Sequence, residues 1–346
     1  MFSYTMKKIF LFILLTTLLF SSCEKEEIGK TGLISDKFFL ENRGAKMPVL
    51  VEGNIDSDQM LIILHGGPGT GAAFYNSKQA TEIAEKKFAI VYFDQRAAGS
   101  SQGDASDVSL EAYAEDLKKL IAVLRFRYCA CKKIYVWGHS WGGFLAPYFL
   151  TKDNNQSLVS GWIQVDGAHD YVKNDSLTSL MLRTVGAQEI AAGRHADDWQ
   201  KIVDYCNSHD PKNNYAVTMQ LNLYSHQAQG YMSDINTEPS PFDDIFSSNL
   251  PLTANIGNQL YNTIKEIDKQ AFAENIDAKL PNVKTPTLLL WGKYDFTCPI
   301  GLREDIKQKI GTTNVQEKLF EHSGHAPMFY EPELFWQTVA TWMDAH

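Results

Sequence analysis

Five short apolar runs organise this sequence, and each leads directly into a residue capable of chemistry. Met60–Leu64 stops at His65-Gly66-Gly67, Phe88–Phe93 at Asp94, and Ile134–Trp137 at Gly138, just ahead of Ser140. Leu158–Val165 stops at Asp166, and Thr287–Trp291 runs into Gly292-Lys293-Tyr294-Asp295. All are rich in β-branched or aromatic residues and lack polar alternation, which is how strands covered on both faces read. Helical spacing fills the gaps: Leu110, Tyr113, Leu117, Leu120, Ile121 and Leu124 recur at three- and four-residue intervals, with Ser109 as the expected N-cap. Strands alternating with helices predict an α/β fold with a mostly parallel central sheet flanked by helices. In such sheets, functional side chains gather beyond the C-terminal strand ends.

The alternation stops between about Ala168 and Pro281 and resumes at Pro286. More than a hundred residues is far too long for a simple crossover. The stretch reads as helical, punctuated by turns such as Asp210-Pro211 and Pro239-Ser240-Pro241. The expected organisation is therefore a core over 36–167 and 282–346 with a helical cap inserted over 168–281.

Gly138-His139-Ser140-Trp141-Gly142 follows one of the strands and precedes a helical stretch. G-x-S-x-G in that context is a nucleophile elbow, a turn that lifts the serine above the sheet. His65-Gly66-Gly67-Pro68-Gly69-Thr70-Gly71 lacks the Lys-Ser/Thr pair of a phosphate-binding loop and does not fit G-x-G-x-x-G. It reads instead as an oxyanion loop, with the Gly67 N–H joining that of Trp141. His325 is the expected base, with His322 as a competitor, and Asp295 the expected acid, with Asp166 as the alternative. The order Ser140, Asp295, His325 suits this architecture. Chemically, a serine is a weak nucleophile until a histidine takes its proton, and a carboxylate fixes that histidine's tautomer.

These segments resemble the α/β-hydrolase fold and, within it, the proline iminopeptidase family of serine peptidases. The resemblance rests on HGGPGTG at 65–71, DQRAAGSS at 94–101, GHSWGG at 138–143, WGKYDFTCP at 291–299 and SGHAP at 323–327. It covers residues 60–165 and 286–346 and implies a capped enzyme that releases N-terminal residues, often proline, from small peptides. The family usually has Gly where this chain has Ala97. Relatives bind the substrate amine with cap carboxylates, for which Glu189 and Glu238 are the candidates here. Arg96 reads as a structural ion-pair partner and Cys298 as a small buried residue. A carboxylesterase acting on small acyl esters would use the same triad, and a non-catalytic surface binding protein could share the scaffold. Ser140 argues against epoxide hydrolases and haloalkane dehalogenases, which resemble this fold but use Asp as nucleophile.

The first residues carry a different signal. Lys7 and Lys8 precede the apolar Ile9–Phe20 and the small Ser21-Ser22, as in an export signal. Leu19-Phe20-Ser21-Ser22-Cys23 resembles the lipobox of bacterial lipoproteins, although Phe20 departs from the usual aliphatic residue. The resemblance implies cleavage after residue 22, lipidation of Cys23, a tether over 23–35 and anchorage in the bacterial cell envelope. Glu24-Lys25-Glu26-Glu27 resembles an acidic export tag. Lys and Arg number 32 against 41 Asp and Glu, a net charge of −9. That balance opposes general affinity for nucleic acid. Cys129 and Cys131 stand too close in sequence for an ordinary bridge. No cysteine–histidine cluster suggests a metal site, and the expected chemistry needs no cofactor.

Overall fold

The computed structural model describes residues 31–103, 107–212, 214–235 and 258–346, with backbone alone for 258–264. Nine strands form one sheet: β1 (Leu33–Asn42), β2 (Ala45–Asn54), β3 (Gln59–Leu64), β4 (Ala89–Phe93), β5 (Gln102–Gly103), β6 (Lys133–His139), β7 (Gly161–Val165), β8 (Thr287–Gly292) and β9 (Val315–Phe320). The spatial order is β1-β2-β4-β3-β6-β7-β8-β9, with β5 paired to β2. β2 runs antiparallel to β1, β4 and β5, while β4 through β9 along the main path pair in parallel.

The parallel strands are covered on both faces, which explains their unbroken apolar sequence. In β3, Met60, Ile62 and Leu64 enter one hydrophobic cluster while Leu61 and Ile63 enter another. Helices α1 (Leu110–Arg127) and α2 (Trp141–Thr151) pack in the first cluster through Leu117, Leu120, Phe144 and Phe149. Ser109 caps α1 by accepting the Ala112 N–H at 3.2 Å.

Among the described residues, four helices lie between β7 and β8: α3 (Tyr171–Ala191), α4 (Ala196–Ser208), α5 (Tyr215–Tyr231) and α6 (Asn258–Ala273). Leu182, Trp199, Ile202, Val217 and Leu221 form their own apolar cluster, which also takes in Phe296 from the loop after β8. Three further helices follow: α7 (Gly301–Lys309), α8 (Pro327–Tyr330) and α9 (Pro332–Asp344). Phe335, Trp336, Val339 and Met343 of α9 join the second cluster of the sheet.

Two expectations need correction. β1 begins at Leu33 and pairs along its full length with β2, so the end of the stretch expected as a tether over 23–35 is already sheet. Cys129 and Cys131 are joined in a disulfide, since the turn after α1 holds their Cα atoms 5.2 Å apart, within disulfide reach. The leader and Cys23 lie outside the described residues. No described helix is long and apolar enough to cross a membrane.

Candidate active site

Ser140 sits between β6 and α2 with φ 54° and ψ −114°. A non-glycine residue holds such a conformation only where its surroundings enforce it. The enforcement comes from close packing: a Cβ at Gly142 would overlap the Leu64 carbonyl, and one at Gly138 would overlap the Gly142 carbonyl. The Trp141 N–H opens α2 and so has no intrahelical carbonyl to bond. Gly67 lies at φ 120°, a value open chiefly to glycine, and borders the same space as Ser140.

The segment after β4 holds these loops together. Gln95 donates its side-chain N–H to the His65 carbonyl at 3.0 Å and accepts the Trp141 indole N–H at 2.9 Å. Its backbone N–H donates to His65 Nε2 at 3.0 Å, so His65 is a neutral structural ring; burial pushes its pKa down. Asp94 accepts the N–H groups of Ala72 and Ser100 at 2.6 and 2.7 Å. Arg96 makes a fully buried, two-pronged pair with Asp116 at 2.6 and 2.7 Å, and Asn42 donates to the same carboxylate at 2.8 Å. Ala97 adopts φ 54°, which accounts for glycine at this place in the resembling loop.

On the opposite side, His325 donates from Nδ1 to Asp295 Oδ2 at 2.9 Å. That leaves Nε2 as the proton-accepting nitrogen. Asp295 Oδ1 accepts the N–H groups of Thr297 and Cys298, each at 2.8 Å, so both carboxylate oxygens are fixed. Cys298 is buried, and its thiol pKa is pushed well up by burial and then by Asp295. Asp166 lies deeper, with Oδ1 accepting the Gly292 N–H at 2.9 Å. Burial, then the charge of Asp295, raises its pKa well above the carboxylate range. The His325 Nδ1 bond goes to Asp295 and not to Asp166, so Asp295 is the better-suited partner. His322 instead faces the Asp234 carbonyl at 3.1 Å and is exposed.

A short relay joins the two sides. The Gly66 N–H donates to the Tyr75 hydroxyl at 2.8 Å, and Tyr75 donates to His139 Nδ1 at 2.8 Å. His139 Nε2–H then donates to the His325 carbonyl at 2.6 Å. Burial and the neighbouring His325 hold the His139 pKa well below its ordinary value, so the ring stays neutral in this relay.

Two cavities meet at Ser140. One, of about 360 Å³, runs under the helices between β7 and β8 and is bordered by Gly67, Trp141, Tyr171 and Leu221. Two carboxylates line it, Asp175 of α3 and Asp268 of α6, only 4% and 8% exposed. Thr218 donates a short hydrogen bond to Asp175 Oδ2. Burial raises the Asp175 pKa to about 6. Burial, with a further contribution from Asp175, raises that of Asp268 to about 7. Neither aspartate has a salt-bridge partner among the described residues, and no described Lys or Arg lines the cavity. The other cavity, of about 430 Å³, has His325, His226 and Phe329 on its wall.

A family described as the alpha/beta hydrolase fold matches residues 59–332. The chain belongs to this α/β-hydrolase family. This hydrolase is 22% identical to the probable aminopeptidase YbaC of Bacillus subtilis (strain 168) over 314 residues, covering 85% of this chain and 92% of that protein. Among solved structures, an esterase from Exiguobacterium antarcticum matches with a TM-score of 0.60 at 20% identity, over 89% of this chain and 100% of its own. A proline iminopeptidase from Mycobacterium smegmatis matches at 0.59 and 16% identity, over 90% of this chain and 98% of its own. At these identities the structural likenesses establish the fold, a mostly parallel sheet flanked by helices.

The hydrolase brings Ser140, Gly67 and Trp141 to one cavity rim, and Ser140 and His325 to the other. It does not bring Glu189 there. Glu189 accepts two hydrogen bonds from Arg194 at 2.6 Å each, and that cation holds its pKa down. The physical reason is distance along α3: fourteen residues beyond Asp175 is about 21 Å at helical rise. Glu238 lies outside the described residues. The carboxylates missed in the sequence were Asp175 and Asp268. The available signal was a charge within a buried helical stripe, where Asp175 shares the face of Thr178, Ser179, Leu182 and Gly186.

Proposed function

We propose that this hydrolase is a serine aminopeptidase that releases N-terminal residues from small peptides. Ser140 attacks the scissile carbonyl while His325 takes its proton at Nε2. Asp295 holds the ring and stabilises the imidazolium. The Gly67 and Trp141 N–H groups receive the negative charge on the tetrahedral oxygen. His325 returns the proton to the leaving amine, and water then cleaves the acyl-enzyme.

The observation that carries the substrate class is the buried pair Asp175 and Asp268 in the cavity beside Ser140, without a cationic partner among the described residues. A buried carboxylate is costly unless paired. The ammonium of a peptide N-terminus supplies the missing charge. The likeness to a probable aminopeptidase of Bacillus subtilis supports the same reading. The test compares amino-acid arylamides with their N-acetyl forms at pH 8. Free-amine substrates are expected to have kcat/KM at least about tenfold higher, equivalent to about 1.4 kcal/mol. Equal rates would discard the reading.

A carboxylesterase is the second reading, favoured by the apolar part of the same cavity, Ala168, Tyr171 and Leu221. It predicts indifference to the amine and efficient cleavage of short-chain esters. We also propose, from sequence alone, that the chain is a lipoprotein of the bacterial cell envelope anchored through Cys23. Cys23→Ala is expected to release it from membranes and to abolish labelling by an alkyne fatty acid.

A further inference from the structure

The two cavities differ in charge and in which catalytic group they reach. Asp175 and Asp268 border the first cavity, whereas His325 borders the second. In amide cleavage the leaving nitrogen must receive its proton from the histidine. The second cavity is therefore where the leaving group has to lie.

It is lined by Gly66, Phe74, Tyr75, His226 and Phe329 together with Ser140 and His325. Among the described residues, no Lys, Arg, Asp or Glu lines it. His226 is exposed at its outer side, and partial desolvation, followed by the charge of His325, lowers its pKa. The stretches between β7 and β8 left out of the described side chains are residue 213 and residues 236–264, and they contain no Lys, Arg or His. They carry Glu238, Asp243 and Asp244 instead.

A free dipeptide sets a hard test for such a wall. Its terminal carboxylate carbon stands about 2.5 Å from the scissile nitrogen by ordinary bond lengths, so it cannot stay outside the cavity. It would be desolvated against Phe74, Tyr75 and Phe329 with no cation among the described lining residues to meet it. Asp295 lies behind His325 and repels it further. An amide, an arylamine or the next peptide unit at the same place carries no charge.

We propose that the second cavity is a leaving-group subsite for neutral, ring-bearing or apolar groups, which excludes free dipeptides in favour of dipeptide amides, arylamides and longer peptides. The assignment to peptides rests on the aminopeptidase reading; the charge preference of the cavity does not.

The experiment measures kcat/KM for Ala-Phe, Ala-Phe-amide and Ala-Phe-Ala, each also as its N-acetyl form. The expected order is amide over dipeptide by about tenfold or more, the penalty of one desolvated charge, with the tripeptide well above the dipeptide. Asn222→Arg, an exposed position whose side chain borders both cavities, is expected to raise kcat/KM selectively for the free dipeptide. Equal values for Ala-Phe and its amide would overturn the subsite. Should N-acetyl peptides react as fast as free ones, the aminopeptidase reading falls instead, and the charge preference is read on phenyl acetate against 4-carboxyphenyl acetate, each corrected for its hydroxide rate. A tenfold deficit for the anionic ester supports the subsite, and parity overturns it. A protein that cleaves neither series overturns both proposals.

Discussion

The sheet end and the helices above it bury carboxylates in opposite ways. Below, Asp116 is closed by a bidentate Arg96 and by Asn42, with both ionic partners removed from water. Above, Asp175 and Asp268 are nearly as buried but meet neutral groups among the described residues, Thr218 and Asn174 for the first and Tyr215 for the second. Burial pushes the carboxyl pKa up in both regions, to about 6 at Asp175 and about 7 at Asp268, while at Asp116 the Arg96 cation works against the rise. The lower region completes its electrostatics within the fold. The upper region leaves them incomplete among the described residues, and in the proposed function the substrate ammonium completes them. Rigidity and recognition are thereby assigned to separate parts of one chain.

The largest expected effect tests whether the lower region contains the chemistry at all. Ser140→Ala is expected to abolish fluorophosphonate labelling and to lower kcat by about 10⁴-fold or more while the melting transition persists. Retained labelling would remove Ser140 from the mechanism. Asp295→Asn is expected to cost about 10⁴-fold in kcat through the wrong histidine tautomer. Asp166→Asn keeps the side-chain shape and an oxygen for the Gly292 N–H, and should stay within about tenfold. The reverse ranking would exchange the two assignments.

The next comparison sets stability in the two regions against each other. Arg96→Met leaves Asp116 charged and unpaired, at a cost of about 3–5 kcal/mol in chemical denaturation. Asp268→Asn and Asp175→Asn should act in the opposite direction. Each carboxyl is raised above its ordinary 3.8, so the folded state holds these protons more tightly than the unfolded state. Their contribution to stability is fully present below about pH 4 and is lost as pH rises through 6 and 7. At pH 8 both substitutions are expected to raise the melting temperature, while at pH 4 they should have little effect. The same substitutions should raise KM for free-amine substrates about 10–100-fold and leave N-acetyl substrates unchanged, as loss of one charged contact predicts. A KM increase shared by both substrate types would mean that the carboxylates do not read the amine.

Much of the lower region was legible in sequence because its physics is local. Strands β3, β4, β6 and β8 match apolar runs to within one or two residues at each end, and Gly138 and Gly142 mark the turn at Ser140. β7 is shorter than its run, since Asn155–Leu158 coils as a 3-10 turn. β1 and β2 went unrecognised. The first alternates exposed and buried positions at the sheet edge, and the second is interrupted by Lys46 and Pro48. The site above was the least legible. A carboxylate on a helix reads as solvated until the fold turns its face toward Ser140, and one-dimensional spacing does not carry that rotation. Glu189 was a reasonable candidate by type, but its neighbour Arg194 was the missing fact.

One contact links the regions in a way that concerns motion. Gln229 of α5 accepts the His325 N–H at 2.8 Å and donates to the Tyr330 hydroxyl at 2.9 Å. Gly324 leaves the room for it, because any Cβ there would collide with the Gln229 side chain. A swing of α5 away from the sheet must break a hydrogen bond on the backbone of the proposed base itself. The backbone that carries the proposed base therefore takes part of its support from α5, and a change in the seating of that helix would reach His325 through one amide.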